Sequence, residues 1–278
     1  MVALETDEPV LRCSIDGKRI AYLRDGDGEP ALLIHGITTY SFIWRKIFPH
    51  LTPQFDVIAP DLLGCGKSDK PLDVDYSIKT QAAILAKFIH KLELKPAHLI
   101  AHDIGGGVAQ ILAVNHPDLV KDIVLINSVA YDFWPVQPII AIRTPIIRQL
   151  TMATLDYGTL RLIVKRGLYH KDVLTDELME LFWEPMKTSL GRKAFLHLAE
   201  CLDNDHLLEI SEKLHRLAKP LLIIRGEADV YLSAEICKSL RENIPGSRLI
   251  SIPTAGHYAM EDEPEQISEA IIKFIRGK

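Results

Sequence analysis

Short apolar runs alternate with amphipathic stretches along most of the chain. The apolar runs cover residues 31–35, 55–59, 97–102, 123–127, 221–225 and 248–253. Runs of this length and continuity are typical of strands buried on both faces. The stretches 77–93, 105–116, 233–244 and 264–276 place apolar residues three and four positions apart, which predicts helices with one buried face. Parallel strands need such crossover helices, so the pattern predicts a mostly parallel sheet covered on both sides.

Two segments near the start of the chain have a different pattern. Residues 10–15 and 18–24 alternate apolar and polar side chains around Asp16-Gly17. This pair suits the positive φ angles of a tight turn between antiparallel strands. The sequence therefore predicts an antiparallel hairpin ahead of the parallel strands.

The middle of the chain is predicted to be helical throughout. From residue 131 to residue 217 helical patterns follow one another, and strand-like sequence resumes only at Leu221. We interpret 131–217 as a helical cap inserted into a core formed by residues 1–130 and 218–278. Since internal repeats are absent, the cap is expected to be an excursion from one domain.

The composition is that of an ordinary globular enzyme. The 278 residues include 47% hydrophobic and 25% charged residues, and the net charge is −5. Scattered cationic residues on an acidic chain argue against nucleic-acid binding, so the expected partner is a small-molecule substrate. Four distant cysteines form no C-x-x-C pair, so neither a metal site nor a disulfide framework is predicted. We expect no cofactor.

The location of the protein is also an expectation from sequence. The first ten residues are acidic, unlike a secretion signal, and no apolar run has the length of a membrane span. We therefore expect a cytoplasmic protein without membrane insertion. The composition is compatible with either a monomer or a homo-oligomer.

A strand passes directly into a helix at Asp103. In a nucleophile elbow of the G-x-S-x-G type, small residues stand two positions before and two after the nucleophile, and here these are Ala101 and Gly105. The central residue is an aspartate, which the positive end of the helix dipole should keep ionised. The alternative is that Asp103 only caps the helix.

Three other segments support the elbow. His35-Gly36-Ile37 follows an early strand, where the backbone N–H of Ile37 would form an oxyanion hole with that of Ile104. His35 itself either contacts the substrate or braces this loop. His257 follows a late strand, where a general base is expected, and Asp229 follows the strand before it. Glu227 is the competitor of Asp229 as the acid that orients His257.

With these residues the chain resembles the α/β-hydrolase superfamily, and within it the aspartate-nucleophile branch of haloalkane dehalogenases and epoxide hydrolases. The likeness spans almost the whole chain and includes the run from Pro60 to Pro71, PDLLGCGKSDKP. The resemblance implies that Asp103 attacks a saturated carbon to form an ester, and that His257 activates the water that hydrolyses it. Asn127, where some members carry the acid, is an amide, which again favours Asp229.

The chain departs from these families at the positions that bind the leaving group. Dehalogenases usually place halide-binding Trp and Asn side chains where this chain has Ile104 and Ile37, and Thr38 replaces the proline of the His-Gly-x-Pro loop of epoxide hydrolases. Epoxide hydrolases usually need two cap hydroxyls or their equivalents. The substrate-binding candidates are Tyr131, Trp134, Tyr157, Tyr169, Trp183 and His197, with His35 in the core.

An epoxide is the favoured substrate on this resemblance. The alternative is haloalkane dehalogenation with atypical halide donors. A second alternative is an ester or lactone hydrolase, or a non-catalytic ligand-binding protein on the same fold.

Overall fold

The computed structural model describes residues 10–132 and 156–277. Eight strands form one sheet in the order β1-β2-β4-β3-β5-β6-β7-β8. The strands are β1 (Leu11–Ile15), β2 (Lys18–Asp25), β3 (Glu29–Ile34), β4 (Phe55–Pro60), β5 (Ala97–Asp103), β6 (Val120–Ser128), β7 (Leu221–Gly226) and β8 (Arg248–Ile252). All neighbours from β4 to β8 pair in parallel, and β1 and β2 pair antiparallel. The predicted mostly parallel sheet with an antiparallel hairpin is confirmed.

The hairpin turns at the residues that the sequence indicated. Asp16 and Gly17 both have positive φ, 50° and 76°, and Ile15 pairs with Lys18 across the turn. A positive φ at both central positions matches the right-handed twist of the flanking strands. β2 then pairs antiparallel with β4, which attaches the hairpin to the edge of the parallel strands.

Each central strand contributes alternate side chains to two hydrophobic cores, one on each face of the sheet. Leu32 and Ile34 of β3 lie in the same core as Leu99 of β5. Leu33 and Ile100 point to the opposite core. Because side chains alternate along a strand, a strand buried on both faces must be apolar at consecutive positions. This explains the continuous apolar runs in the sequence.

Helices flank the sheet, and further helices lie in the described residues 156–217 that precede β7. They are α1 (Phe48–Leu51), α2 (Ile78–Lys91), α3 (Ile104–Asn115), α4 (Tyr157–Gly167), α5 (Asp176–Trp183), α6 (Ser189–Cys201), α7 (Asp205–Leu208), α8 (Ser211–His215), α9 (Ala234–Asn243), α10 (Ala259–Asp262) and α11 (Pro264–Arg276). The four helices predicted from periodicity differ from α2, α3, α9 and α11 by at most two residues at either end.

Residues 156–217 contain helices and turns but no strand. Side-chain caps begin three of these helices: Asp156 accepts from the Thr159 N–H, Thr175 from the Leu178 N–H, and Thr188 from the Gly191 N–H. Such caps satisfy N–H groups that the first helical turn leaves unpaired. No described helix is both long and apolar enough to cross a membrane.

A buried ion pair ties the loop after β3 to the loop after β8. Arg45 and Glu261 are both nearly inaccessible, with side chains 4% and 0% exposed. Arg45 Nη2 donates to Glu261 Oε2 at 2.8 Å, and a second bond joins Nη1 to Oε1. Lys46 Nζ lies 3.2 Å from the same carboxylate. Both loops also carry residues of the candidate site, so this pair fixes their relative position.

Removing the carboxylate of Glu261 should destabilise the fold strongly. Glu261→Ala leaves the Arg45 guanidinium buried without its partner, which typically costs about 3–5 kcal/mol in the free energy of unfolding. The matched substitution Glu209→Ala breaks an exposed pair with Lys79, and should change stability far less. Urea unfolding of both variants measures the difference, and equal midpoints would contradict this interpretation.

Candidate active site

Asp103 stands on a strained turn between β5 and α3. Its φ is 53° and its ψ is −124°, a conformation that costs energy for a residue with a side chain. Gly105 permits the turn, because a Cβ there would lie 2.5 Å from the carbonyl oxygens of Ile34 and His35. This geometry is that of a nucleophile elbow, as the spacing of Ala101 and Gly105 predicted.

The backbone after β3 closes over the Asp103 carboxylate. The Ile37 N–H donates to Asp103 Oδ2 at 2.9 Å, and the Ile104 N–H also lowers the pKa of this carboxylate. These are the two N–H groups expected for an oxyanion hole. Gly36 makes the approach feasible, since a Cβ there would lie 2.7 Å from Asp103 Cβ.

His257 and Asp229 make the contact that is expected between a general base and the carboxylate that orients it. His257 Nδ1 and Asp229 Oδ2 are 3.1 Å apart and both side chains are buried. Asp229 Oδ1 accepts from the N–H groups of Tyr231 and Leu232 at 2.8 and 3.2 Å, and Arg225 Nη1 lies 3.4 Å from Oδ2. The acid is therefore held from three sides. Glu227, its competitor in sequence, has no side-chain contact with His257 in the described structure.

The electrostatics of the three residues are coupled. Burial lowers the pKa of His257, but the Asp229 carboxylate, with a further contribution from Asp103, outweighs burial and raises it above the ordinary value. Burial opposes ionisation of Asp229 as well, yet His257 and the Tyr231 N–H lower the pKa of Asp229. The lowered pKa favours the ionised form of Asp229 beside His257.

Burial raises the pKa of Asp103, against the lowering effects of His257 and of the N–H groups of Ile37 and Ile104. Burial therefore opposes the ionisation that the helix N-terminus is expected to favour. A carboxylate that is less stabilised than in water is more basic, and hence a stronger nucleophile when ionised.

The main-chain carbonyl of His257 is held by two side chains. His102 Nε2 donates to it at 2.9 Å and Asn127 Nδ2 at 3.0 Å. Asn127 Nδ2 also donates to the Gly256 carbonyl at 2.8 Å, while its Oδ1 accepts the Gly226 N–H at 2.9 Å. Asn127 is thus a bridge between the loops that carry the base and the acid. Burial lowers the pKa of His102 to about 3, so this ring is neutral.

Asp262 joins the His257 loop to the segment after α4. Its carboxylate accepts the N–H groups of Tyr169 and His170 at 2.9 Å each, and that of Gly256 at 2.8 Å. The Tyr258 N–H donates to the Gly167 carbonyl at 3.3 Å. Four backbone N–H groups and one carbonyl therefore take part in the connection between the helical segment and the loop of His257.

The substrate-binding candidates take different places. His35 is buried and braces the loop: Nε2 accepts the Leu62 N–H at 2.9 Å, so Nδ1 donates to the Gly36 carbonyl at 2.8 Å. His197 Nε2 donates to the Val74 carbonyl at 2.8 Å, and its ring contacts Tyr76. Tyr131 packs its ring against His215.

The remaining candidates lie on the helical segment. The rings of Tyr157 and Trp183 pack edge to face, with centroids 5.8 Å apart. Tyr169 is 45% exposed and stacks against His170. Trp134 lies outside the described residues. No described contact joins Tyr131, Tyr157, Tyr169, Trp183 or His197 to Asp103 or His257.

The aromatic residues beside His257 were missed in the sequence. Tyr258 and Tyr231 place their rings 5.0 and 5.2 Å from the His257 ring. Phe182 of α5 packs on both Tyr258 and Phe42, at 5.1 and 4.9 Å. Tyr258 directly follows the predicted base, which was a usable signal, whereas no local pattern marks the other contacts.

The fold and this geometry agree with the comparison to known proteins. The family model described as the α/β hydrolase fold matches residues 30–153, and the sheet order and helices are those of that fold. The chain therefore has the α/β-hydrolase fold, and it is similar in sequence to hydrolases that include haloalkane dehalogenases.

Particular relatives cover nearly the whole chain. YugF of Bacillus subtilis, an uncharacterized hydrolase, is 28% identical over 98% of this chain and all of its own length. Haloalkane dehalogenase 2 of Mycobacterium tuberculosis is 29% identical, covering 92% of this chain and 91% of its own. A cis-3-alkyl-4-alkyloxetan-2-one decarboxylase of Shewanella oneidensis is 26% identical, covering 94% and 86%.

Solved structures extend the likeness to three dimensions. A loop variant of the haloalkane dehalogenase DbeA from Bradyrhizobium elkanii superposes with a TM-score of 0.85 at 27% identity, covering 98% of both chains. The epoxide hydrolase CorEH superposes with a TM-score of 0.84 at 21% identity, covering 98% of this chain and 99% of its own. At 21% identity, the similarity to CorEH is a similarity of fold alone.

The raised pKa of His257 leads to a test that needs no substrate. Histidine NMR titration should place the pKa of His257 above its ordinary value of 6.5, so that the ring is protonated below that raised pKa and neutral above it. Asp229→Asn removes the main group that favours the charged ring, and burial should then bring the pKa below 6.5. The missing resonance in His257→Gln assigns the signal. A pKa of His257 that is unchanged by Asp229→Asn would contradict the pairing.

Proposed function

We propose that Asp103 is the nucleophile of a hydrolase that acts on a saturated carbon. The observation that carries this proposal is a carboxylate, rather than a hydroxyl, on the strained elbow, with Oδ2 bound to the Ile37 N–H at 2.9 Å. That bond leaves Oδ1 available for attack. A carboxylate that attacks an acyl carbon would form an anhydride, whereas attack on an alkyl carbon forms an ordinary ester.

Two steps then complete the reaction. Asp103 forms a C–O bond to the substrate carbon, and the leaving group departs with the electron pair of the broken bond. His257 next takes a proton from water, and the hydroxide adds to the ester carbonyl carbon of Asp103. The developing oxyanion lies at the N–H groups of Ile37 and Ile104. Collapse of this intermediate releases an alcohol and restores the carboxylate.

The side chains around the nucleophile favour an epoxide as the substrate. Ile37 and Ile104 are buried aliphatic residues at 8% and 0% exposure, and they offer no side-chain N–H or O–H to a departing halide. An epoxide needs no such donors at these positions, because its leaving oxygen stays attached to the product and its ring strain favours opening. The substrate class is therefore a small apolar epoxide, beneath a cap formed by residues 131–217.

Haloalkane dehalogenation is the second candidate. The observation in its favour is the relative named Haloalkane dehalogenase 2, which aligns over 92% of this chain. The halide would then need donors other than residues 37 and 104. The relative named as an oxetan-2-one decarboxylase keeps strained lactones among the alternatives.

Trapping the ester tests the proposal. In His257→Gln the base is lost, so alkylation of Asp103 should proceed while hydrolysis of the ester is blocked. Intact-protein mass spectrometry after incubation with a mixed panel of epoxides and haloalkanes should show one adduct per chain. An adduct with the full mass of the epoxide identifies the first candidate, and an alkyl adduct with released halide identifies the second.

The control is His257→Gln combined with Asp103→Ala, which should form no adduct. Peptide mapping should place the modification on the segment that contains Asp103. A folded His257→Gln protein that forms no adduct with either class would overturn alkyl-enzyme chemistry.

A further inference from the structure

Two hydroxyl groups meet beside the oxyanion loop and the base. Thr38 Oγ1 and Tyr258 Oη are 2.8 Å apart, although 220 positions separate them in sequence. Thr38 directly follows Ile37, whose N–H binds the Asp103 carboxylate, and Tyr258 directly follows His257. The pair therefore links the two loops that hold the nucleophile and the base.

One of the two hydroxyl protons of this pair is available for a hydrogen bond to another group. Two hydroxyls carry two protons, and the bond between Oγ1 and Oη uses one of them. Among residues 10–132 and 156–277, neither hydroxyl makes another hydrogen bond. Tyr258 is 1% exposed while Thr38 is half-buried. A buried hydroxyl proton without an acceptor is costly unless a substrate or water receives it.

The surroundings place the pair beneath the helical segment. The Tyr258 ring lies 5.0 Å from the His257 ring and 5.1 Å from the ring of Phe182 on α5. The Asp103 carboxylate is also among the charges that raise the pKa of Tyr258, after burial as the largest cause. Tyr258 is thus buried between the His257 ring and an apolar side chain, and Thr38 adjoins the residue whose N–H binds Asp103. In such surroundings a hydrogen bond to a developing charge is strong.

We propose that the Thr38–Tyr258 hydroxyl pair donates the proton to the ring oxygen of the epoxide as it opens. This inference rests on the proposed function of Asp103. It assigns the general acid of that reaction to this pair, whereas the resemblance to epoxide hydrolases implied hydroxyl groups of the cap. An Asp103 oxygen forms the new bond to carbon, and the carbon–oxygen bond of the ring breaks. Its electron pair stays on the ring oxygen, which takes the free proton of the pair.

Esterification of Asp103 would remove one of the charges that oppose ionisation of Tyr258. Burial and the Asp103 carboxylate both raise the pKa of Tyr258 in the resting protein. Once Asp103 has become a neutral ester its charge is gone, and the hydroxyl pair can share the negative charge that the proton leaves behind. In the second step His257 takes a proton from water, and the imidazolium beside Tyr258 can return a proton to the pair.

Alkylation kinetics of the ester-trapping variant test the proposal. In the His257→Gln background, Tyr258→Phe and Thr38→Val should each slow ester formation with an epoxide by roughly 100-fold or more, the usual size of general acid catalysis. Thr38→Ser keeps the hydroxyl and should retain most of the rate. Tyr22→Phe removes a tyrosine hydroxyl on β2, where the ring packs on Phe88, and should leave the rate unchanged.

A second readout separates acid catalysis from mere packing. Across a series of epoxides, the loss in Tyr258→Phe should grow as the departing oxygen becomes more basic, because a more basic oxygen depends more on protonation. The double variant Thr38→Val with Tyr258→Phe should lose little more than either single variant, since the two hydroxyls act as one unit.

The outcomes distinguish the two proposals. If His257→Gln with the hydroxyl pair intact forms no epoxide adduct, the proposed function fails and this inference falls with it. If the adduct forms on Asp103 but Tyr258→Phe and Thr38→Val alkylate at the original rate, the hydroxyl pair is not the acid while the function of Asp103 stands. A uniform loss across the epoxide series, or a loss in Thr38→Ser equal to that in Thr38→Val, also overturns the inference.

Discussion

The close approach of the backbone at Gly36 to the Asp103 side chain is the constraint on which the site depends. A single methyl group at residue 36 would stand 2.7 Å from Asp103 Cβ and 2.8 Å from its Oδ2. Only glycine lets the loop after β3 come near enough for the Ile37 N–H to reach the carboxylate. The strained turn at Asp103 meets this loop from the other side, because Gly105 lets α3 begin against the carbonyls of Ile34 and His35. β3 and β5, which lead into the loop and the turn, are paired in parallel, so the sheet holds the loop and the turn beside each other.

Hydrogen bonds, rather than close backbone packing, hold the loops that carry His257 and Asp229. Asn127 at the end of β6 bonds to Gly226 before the acid and to Gly256 and His257 at the base. Its φ of 40° is a conformation that asparagine tolerates better than most residues. Asn127 thus holds the loops of Asp229 and His257 in a fixed relative position.

The parts of the site that could be predicted were those with a local signature. Asp103 stands in a strand, turn and helix of fixed spacing, and His257 and Asp229 each follow a strand whose apolar run is visible in the sequence. The contact between Thr38 and Tyr258 could not be predicted, because it depends on how two distant loops meet in space. The candidate tyrosines between residues 131 and 217 have no such local signature. In the structure Tyr169 is exposed, and Tyr157 packs on Trp183. Sequence periodicity locates an element, but it does not say which side chain of a helix reaches a neighbouring loop.

The carboxylate of Asp262 couples the helical segment to the loop of His257. It binds backbone N–H groups of Tyr169 and His170 on the helical segment and of Gly256 next to His257. A movement that lifts this segment from the core must either break these bonds or pull the His257 loop with it. A single carboxylate thus makes the alignment of the imidazole depend on how the helical segment packs on the core.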